Sequence, residues 1–168
     1  MPENRQVLIS RLPDQSLEVS DFSFRSGVIP SPSEGEVLCR TVALTVGAGQ
    51  RASLQGSASY AGAPKTGVVM AGTGVARVEQ SLDPLLSPGD LVMGATGWQE
   101  YSSAPANRWL KLDDSLDAAH HLGVLGTNGL TAYFGLLEIG QPKKGETVVV
   151  SAAAGSVGHL VGQIAKVQ

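Results

Sequence analysis

Apolar positions come in short, β-type runs over the first two thirds of the chain and in helical stripes over the last third. Residues 6–10 and 17–20 predict two short strands, separated by the turn Leu12-Pro13-Asp14. Residues 36–44, EVLCRTVAL, follow the turn-like PSPSEG and predict a long strand. Residues 66–81 are valine-rich but broken by Gly67, Gly72 and Gly74, the pattern of a bulge, a barrel corner or a close backbone approach. Residues 87–104 read as turn, strand, turn, strand, and RWLKL at 108–112 adds one more. Closely spaced short strands with glycine turns predict a small barrel.

Beyond Leu112 the period changes. Residues 113–126 predict a short helix closed by glycine. Leu130, Tyr133, Phe134 and Leu137 share one helical face, with Gly140 placed to cap that helix and Pro142 to stop it. The run ETVVVSA at 146–152 predicts a parallel strand buried on both faces. A last helix is expected from about Ser156. Val157, Leu160, Val161 and Ile164 form its apolar stripe, and Gly158 and Gly162 would let it lie close to a sheet.

Composition narrows the function classes. Of 168 residues, 42% are hydrophobic and only 16% charged, which excludes a disordered chain. A net charge of −3 gives no reason to expect nucleic acid or a membrane surface as partner. Cys39 is the only cysteine, so no intrachain disulfide can form and a reducing compartment is the default. The start MPENRQVLIS carries no apolar signal stretch, and a soluble cytoplasmic protein is expected.

The pattern Ala152-x-x-Gly155-x-x-Gly158 stands between the predicted strand and the last helix. Small residues there let the chain turn sharply, let a backbone approach a pyrophosphate, and let helix and strand pack closely. The helix N-terminus then offers N–H groups to an anion. A plain strand-to-helix turn remains the alternative, and the residue that would read the ribose lies beyond Gln168, so NAD and NADP are not separated. No metal is expected. Cys39 reads as a small buried hydrophobe, His120 and His121 are adjacent and diverge on a helix, and His159 reads as a surface or packing residue. ASLQGSASY lacks a nucleophile elbow. Ser151 and Ser156 read as caps or phosphate contacts. Tyr101 and Tyr133 read as core residues, and Trp98 as a structural aromatic. No pattern assigns a catalytic residue.

The segment LGVLGTNGLTAYFGLLEIGQPKKGETVVVSAAAGSVGHLVGQIAK resembles the zinc-independent branch of the medium-chain dehydrogenase/reductase superfamily. That branch holds the prostaglandin reductases, leukotriene 12-hydroxydehydrogenases, plant alkenal double-bond reductases and bacterial curcumin reductases. SYAGAPKTGVVMAGTGVARV and SPGDLVMGATGWQEYSSAP are similar to it in the same order. The resemblance implies a β-rich GroES-like barrel followed by the first strand–helix unit of a Rossmann α/β domain, a truncated two-domain oxidoreductase. It places the substrate domain at 1–125, a connecting helix at 126–143 and the start of the NADP-binding domain at 144–168. It implies NADP(H) as cofactor, and hydride transfer to the β-carbon of an α,β-unsaturated ketone or aldehyde, or to a quinone. The resulting enolate is held by hydrogen bonds and protonated at the α-carbon.

By position, the resemblance puts Thr131 near the nicotinamide, and Ala154, Gly155, Ser156, Val157 and Gly158 on the pyrophosphate. Gly49, Tyr60, Thr127 and Asn128 would lie at the substrate pocket. Gly47-Ala48-Gly49-Gln50-Arg51 replaces the family's Asp-Pro-Tyr-Met-Arg or Asp-Pro-Ala-Met-Arg, and Gly126-Thr127-Asn128-Gly129 replaces Gly-Met-Pro-Gly. The expected protein is the N-terminal half of a longer, homodimeric enzyme, inactive as residues 1–168 alone. A non-catalytic binding or assembly module derived from the family is the alternative.

Overall fold

The computed structural model describes residues 3–57 and 62–167. They form two compact units, divided between Asp114 and Ser115, ahead of the 125/126 boundary expected from sequence.

The first unit is built on strands. β1 (Asn4–Ile9) pairs antiparallel with β2 (Phe22–Gly27). β3 (Glu36–Leu44), β4 (Gly74–Ser81), β5 (Leu91–Gly94), β6 (Tyr101–Pro105) and β7 (Leu110–Lys111) make a five-stranded sheet in the order β6-β3-β4-β5-β7. Isolated bridges, Gln6 to Gln99 and Leu8 to Val69, tie β1 to the larger sheet's chain. The long run at 36–44 becomes a central strand because both its edges are paired, to β4 and to β6. The glycine-broken stretch 66–81 yields a strand only from Gly74. Register shifts between β3 and β4 mark the anticipated irregularity.

Two apolar clusters hold this unit. Val37, Cys39, Ala76, Val78, Leu86, Val92, Ala106 and Trp109 make the larger one. Ile9, Leu54 and Met70 make the smaller, with Leu12, Phe22 and Trp98 against it. Burial pushes the Cys39 thiol up to about 12, as expected of an inert buried cysteine.

The expected strand at 17–20 is not formed. Asp21, buried, accepts hydrogen bonds from the Glu18 N–H at 2.9 Å and from Arg11 Nε at 2.8 Å, and the chain turns through a short 3-10 helix, Val19–Asp21. The strand lies one step later, at Phe22–Gly27. A helix that periodicity did not announce, α1 (Ala48–Leu54), follows β3.

The second unit is helical: α2 (Ala118–Leu122), α3 (Thr127–Tyr133) continuing as a π-helix over Phe134–Gly140, and α4 (Gly158–Val167). α3 packs on α4. Asp117 caps α2 by accepting from the Ala119 N–H at 2.8 Å. The α4 stripe is placed as expected, with Leu160 buried and Val157, Val161 and Ile164 half-buried.

Four expectations about this unit are corrected. Residues 146–150 form no ladder, and Val149 is 90% exposed, because no described strand lies beside them to accept their hydrogen bonds. The buried face of α3 and its continuation is Gly129, Ala132 and Leu136, while Leu130, Tyr133 and Phe134 are exposed. Tyr133 meets Phe134 edge-on in place of a core. The left-handed cap is Gln141, whose N–H closes a wide turn on the Leu136 carbonyl at 2.8 Å, and not Gly140. A Cβ at Gly162 would meet open space, since no described strand packs there.

Candidate functional site

The glycine turn ahead of α4 is the part of the chain best shaped for a ligand. Ala152 takes a left-handed conformation, φ 49°, and its carbonyl accepts from the Gly155 N–H at 2.8 Å. That single tight turn reverses the chain. The helix then returns so close that a Cβ on Gly158 would lie 2.4 Å from the Ala152 carbonyl oxygen. Only glycine fits, which explains the last small position of the motif. The Gly155 carbonyl accepts from the His159 N–H at 3.1 Å and begins the helical bonding. Residues 151–156 are exposed, so the backbone of Ala154, Gly155 and Ser156 is open to a ligand, while Val157 and Gly158 are half-buried beneath it.

These features fit a pyrophosphate. The backbone is bare of bulky side chains, it leads into a ten-residue helix, and no acidic side chain occurs between Ser151 and Ala165. Ser151 and Ser156 are exposed beside the turn.

Thr131 is exposed on α3, and its hydroxyl donates to the Thr127 carbonyl at 2.7 Å, leaving the oxygen's lone pairs outward. Thr127 is exposed and Asn128 half-buried at the start of the same helix. A Cβ at Gly129 would lie 1.6 Å from the Val124 carbonyl oxygen. The loop before α3 therefore lies directly over that position. Gly49 is exposed on α1 of the first unit, and Tyr60 lies outside the described residues. His120 is exposed and His121 buried, as adjacent helical residues must diverge. Among the described residues no three of His, Cys, Asp or Glu are grouped to hold a metal ion.

The first unit also carries a cleft of about 320 Å³ lined by Arg5, Gln6, Val7, Phe24, Thr41, Leu44, Trp98, Gln99 and Glu100. None of the described residues among those expected at the pocket lines it. Trp98 forms one wall and stacks on Phe22 at 6.0 Å, so its structural role is the main one. On the rim, the Arg5 guanidinium donates to Glu100 at 2.6 Å and holds that carboxyl below its usual range.

Two side chains carry more of the local geometry than their sequence suggests. Gln50 accepts from the Gly47 N–H at 2.7 Å and donates to the Thr45 and Ala71 carbonyls at 2.9 and 3.1 Å, clamping the start of α1 to the loop before β4. The only sequence signal was the spacing Gly47-x-x-Gln50, a capping spacing. His159 turns its ring back on the Gly155 carbonyl, Nδ1 to oxygen 2.9 Å. Its signal was a histidine four residues beyond a glycine.

Residues 5–112 match the family described as the N-terminal domain of oxidoreductase. Over 166 residues the chain is 41% identical to an NADPH-dependent curcumin reductase of Escherichia coli (98% of this chain, 48% of the relative). Over 153 residues it is 40% identical to prostaglandin reductase 1 of Bos taurus (89% of this chain, 44% of the relative). The structure of CurA from Vibrio vulnificus in complex with NADPH superimposes with a TM-score of 0.88 at 38% identity, over 97% of this chain and 49% of that one. The chain thus spans about half the length of the curated relatives it matches.

Proposed function

Because the chain belongs to the zinc-independent branch of the medium-chain dehydrogenase/reductase superfamily, we propose that it is the N-terminal half of an NADPH-dependent reductase. The reaction assigned is reduction of the conjugated carbon–carbon double bond of an α,β-unsaturated ketone or aldehyde, or of a quinone. The observation that carries this reading is the 41% identity to the curcumin reductase over 98% of the chain.

When bound, NADPH supplies the hydride that reaches the β-carbon. The chain's own residues bind and orient. Backbone N–H groups of Ala154, Ser156, Val157 and Gly158 would hold the pyrophosphate, the Gly155 N–H being taken by the Ala152 carbonyl, with the partial positive charge of the α4 N-terminus behind them. Thr131, by the resemblance, would offer its hydroxyl oxygen to the nicotinamide. The resemblance assigns Gly49 and Tyr60 of the first unit, and Thr127 and Asn128 of the second, to the substrate. Gly49 lacks an aromatic wall and Thr127-Asn128 is more polar than Met-Pro, which favours bulky enones or quinones over short alkenals.

Residues 1–168 alone turn over no substrate in this reading. A helix N-terminus contributes about 0.3–2 kcal/mol to an adjacent anion, whereas micromolar affinity requires about 8 kcal/mol. The adenine, the ribose and its phosphate need the other strands of a doubly wound sheet.

The test is NADPH oxidation by the polypeptide carrying these residues and the remaining nucleotide-binding domain, against short alkenals, cyclic enones and quinones. Turnover favouring the bulky substrates is expected. Absence of NADPH binding and of turnover with every class overturns the assignment and favours a binding module. For residues 1–168, the melting temperature is expected to be the same with and without NADPH. A saturable micromolar shift refutes the claim of inactivity in isolation.

A further inference from the structure

We infer that His159 is a positioning residue for the cofactor phosphates, one that fixes the direction of the Ser156 N–H; the inference rests on the reading of the 152–158 turn as the pyrophosphate site. The Gly155 carbonyl can only accept, so the imidazole nitrogen 2.9 Å away, Nδ1, carries the proton and donates. The same carbonyl accepts from the His159 backbone N–H at 3.1 Å. Two donors on one residue thus hold one carbonyl, pulling it toward the body of α4.

The peptide joining Gly155 to Ser156 is trans, as are all described peptide bonds. In a trans peptide the C=O and N–H point to opposite sides. Holding the Gly155 carbonyl into the helix therefore aims the Ser156 N–H out of its end, where the phosphates bind. Without the ring, one helical bond alone resists rotation of this peptide, next to glycine, the least restrained residue type. The other flank of the turn is already fixed by the Gly155 N–H to Ala152 carbonyl bond at 2.8 Å. The ring completes the restraint, and a preorganised donor loses less entropy on binding.

The experiment measures the NADPH dissociation constant and steady-state kinetics in the polypeptide that carries these residues with the rest of the nucleotide-binding domain. His159→Ala is expected to raise the dissociation constant and the KM for NADPH roughly three- to ten-fold, with kcat and the cofactor-free melting temperature unchanged. His159→Asn, whose Nδ2 stands near the place of Nδ1 and donates in the same direction, is expected to restore binding. His159→Phe, which fills similar space without a donor, is expected to behave as the alanine variant. Wild-type affinity in His159→Ala, or failure of His159→Asn to restore it, overturns the inference. A wild-type chain that does not bind NADPH overturns the site assignment itself, a result distinct from the first two.

Discussion

Buried valines of the first unit's sheet contrast with an exposed valine of the second, although Val19, Val28 and Val46 of the first unit are exposed as well. Val37, Val75 and Val92 are fully buried in the first unit, while Val149 of the second is 90% exposed and Ile139 is 82% exposed. All are β-branched; the partners differ. β3 has a hydrogen-bonded neighbour on each side, so its backbone is satisfied and its side chains meet others. Residues 146–150 have no described strand beside them, so Val148 and Val149 stay exposed. A β-type sequence makes a strand only where a ladder exists to receive it.

The largest effect that would sharpen this contrast is a core truncation. Trp109→Ala is expected to cost the first unit about 3–5 kcal/mol in urea unfolding, because Trp109 is 7% exposed and belongs to the larger cluster. Ile139→Ala in the second unit is expected to stay within about 0.5 kcal/mol of wild type. Comparable losses from both would show that Ile139 is covered in solution and break the contrast.

Next comes a pair of glycines inside the second unit. Gly129→Ala forces a Cβ against the Val124 carbonyl and is expected to cost about 1–3 kcal/mol or more, read as a lower melting temperature of the helical circular-dichroism signal. At Gly135 a Cβ meets nothing within 4 Å, so Gly135→Ala is expected to stabilise by up to about 1 kcal/mol. Equal effects would mean that the chain crossing at 124–129 is not formed.

Acid sensitivity is the third test. Backbone hydrogen bonding from Glu18, together with Arg11, holds the Asp21 carboxyl below its usual range. Lys111 does so for Asp90, Arg77 for Asp114 and Arg5 for Glu100. A carboxyl whose folded pKa is depressed stabilises the fold above the ordinary carboxylate range, and that stabilisation is lost as pH falls through it. Unfolding midpoints of the first unit are therefore expected to hold near neutrality and drop below roughly pH 4. Arg77→Gln removes the bidentate pair with Asp114, at 2.6 and 2.8 Å, and is expected to flatten part of that drop. An unchanged acid limb would show that this pair does not contribute.

The smallest perturbation is chemical. Cys39 is fully buried with its thiol pushed up to about 12, so a thiol reagent at mildly alkaline pH is expected to label it only as fast as the first unit opens. Rapid labelling under native conditions would contradict the packing of the larger cluster.

The local pattern of the chain determined much of this. The long strand at Glu36–Leu44, the glycine-closed helix at Ala118–Leu122, the stripe of α4 and the turn at Ala152–Gly158 follow from periodicity and from where Gly and Pro stand. Each depends on neighbours close in sequence. Tertiary structure alone decided the rest. Asp21 displaces the second strand by taking backbone and guanidinium donors for itself, and Gln50 anchors the start of the helix Ala48–Leu54, in a stretch carrying Gly47 and Gly49, by reaching Ala71 across the fold. The Leu130–Tyr133–Phe134 face reads as core but is exposed, whereas Gly129, Ala132 and Leu136 are covered. Hydrophobic spacing says which side chains would benefit from burial. Which of them are buried depends on the partners the chain brings to meet them, because the hydrophobic effect is non-directional and a hydrogen-bond ladder needs two strands.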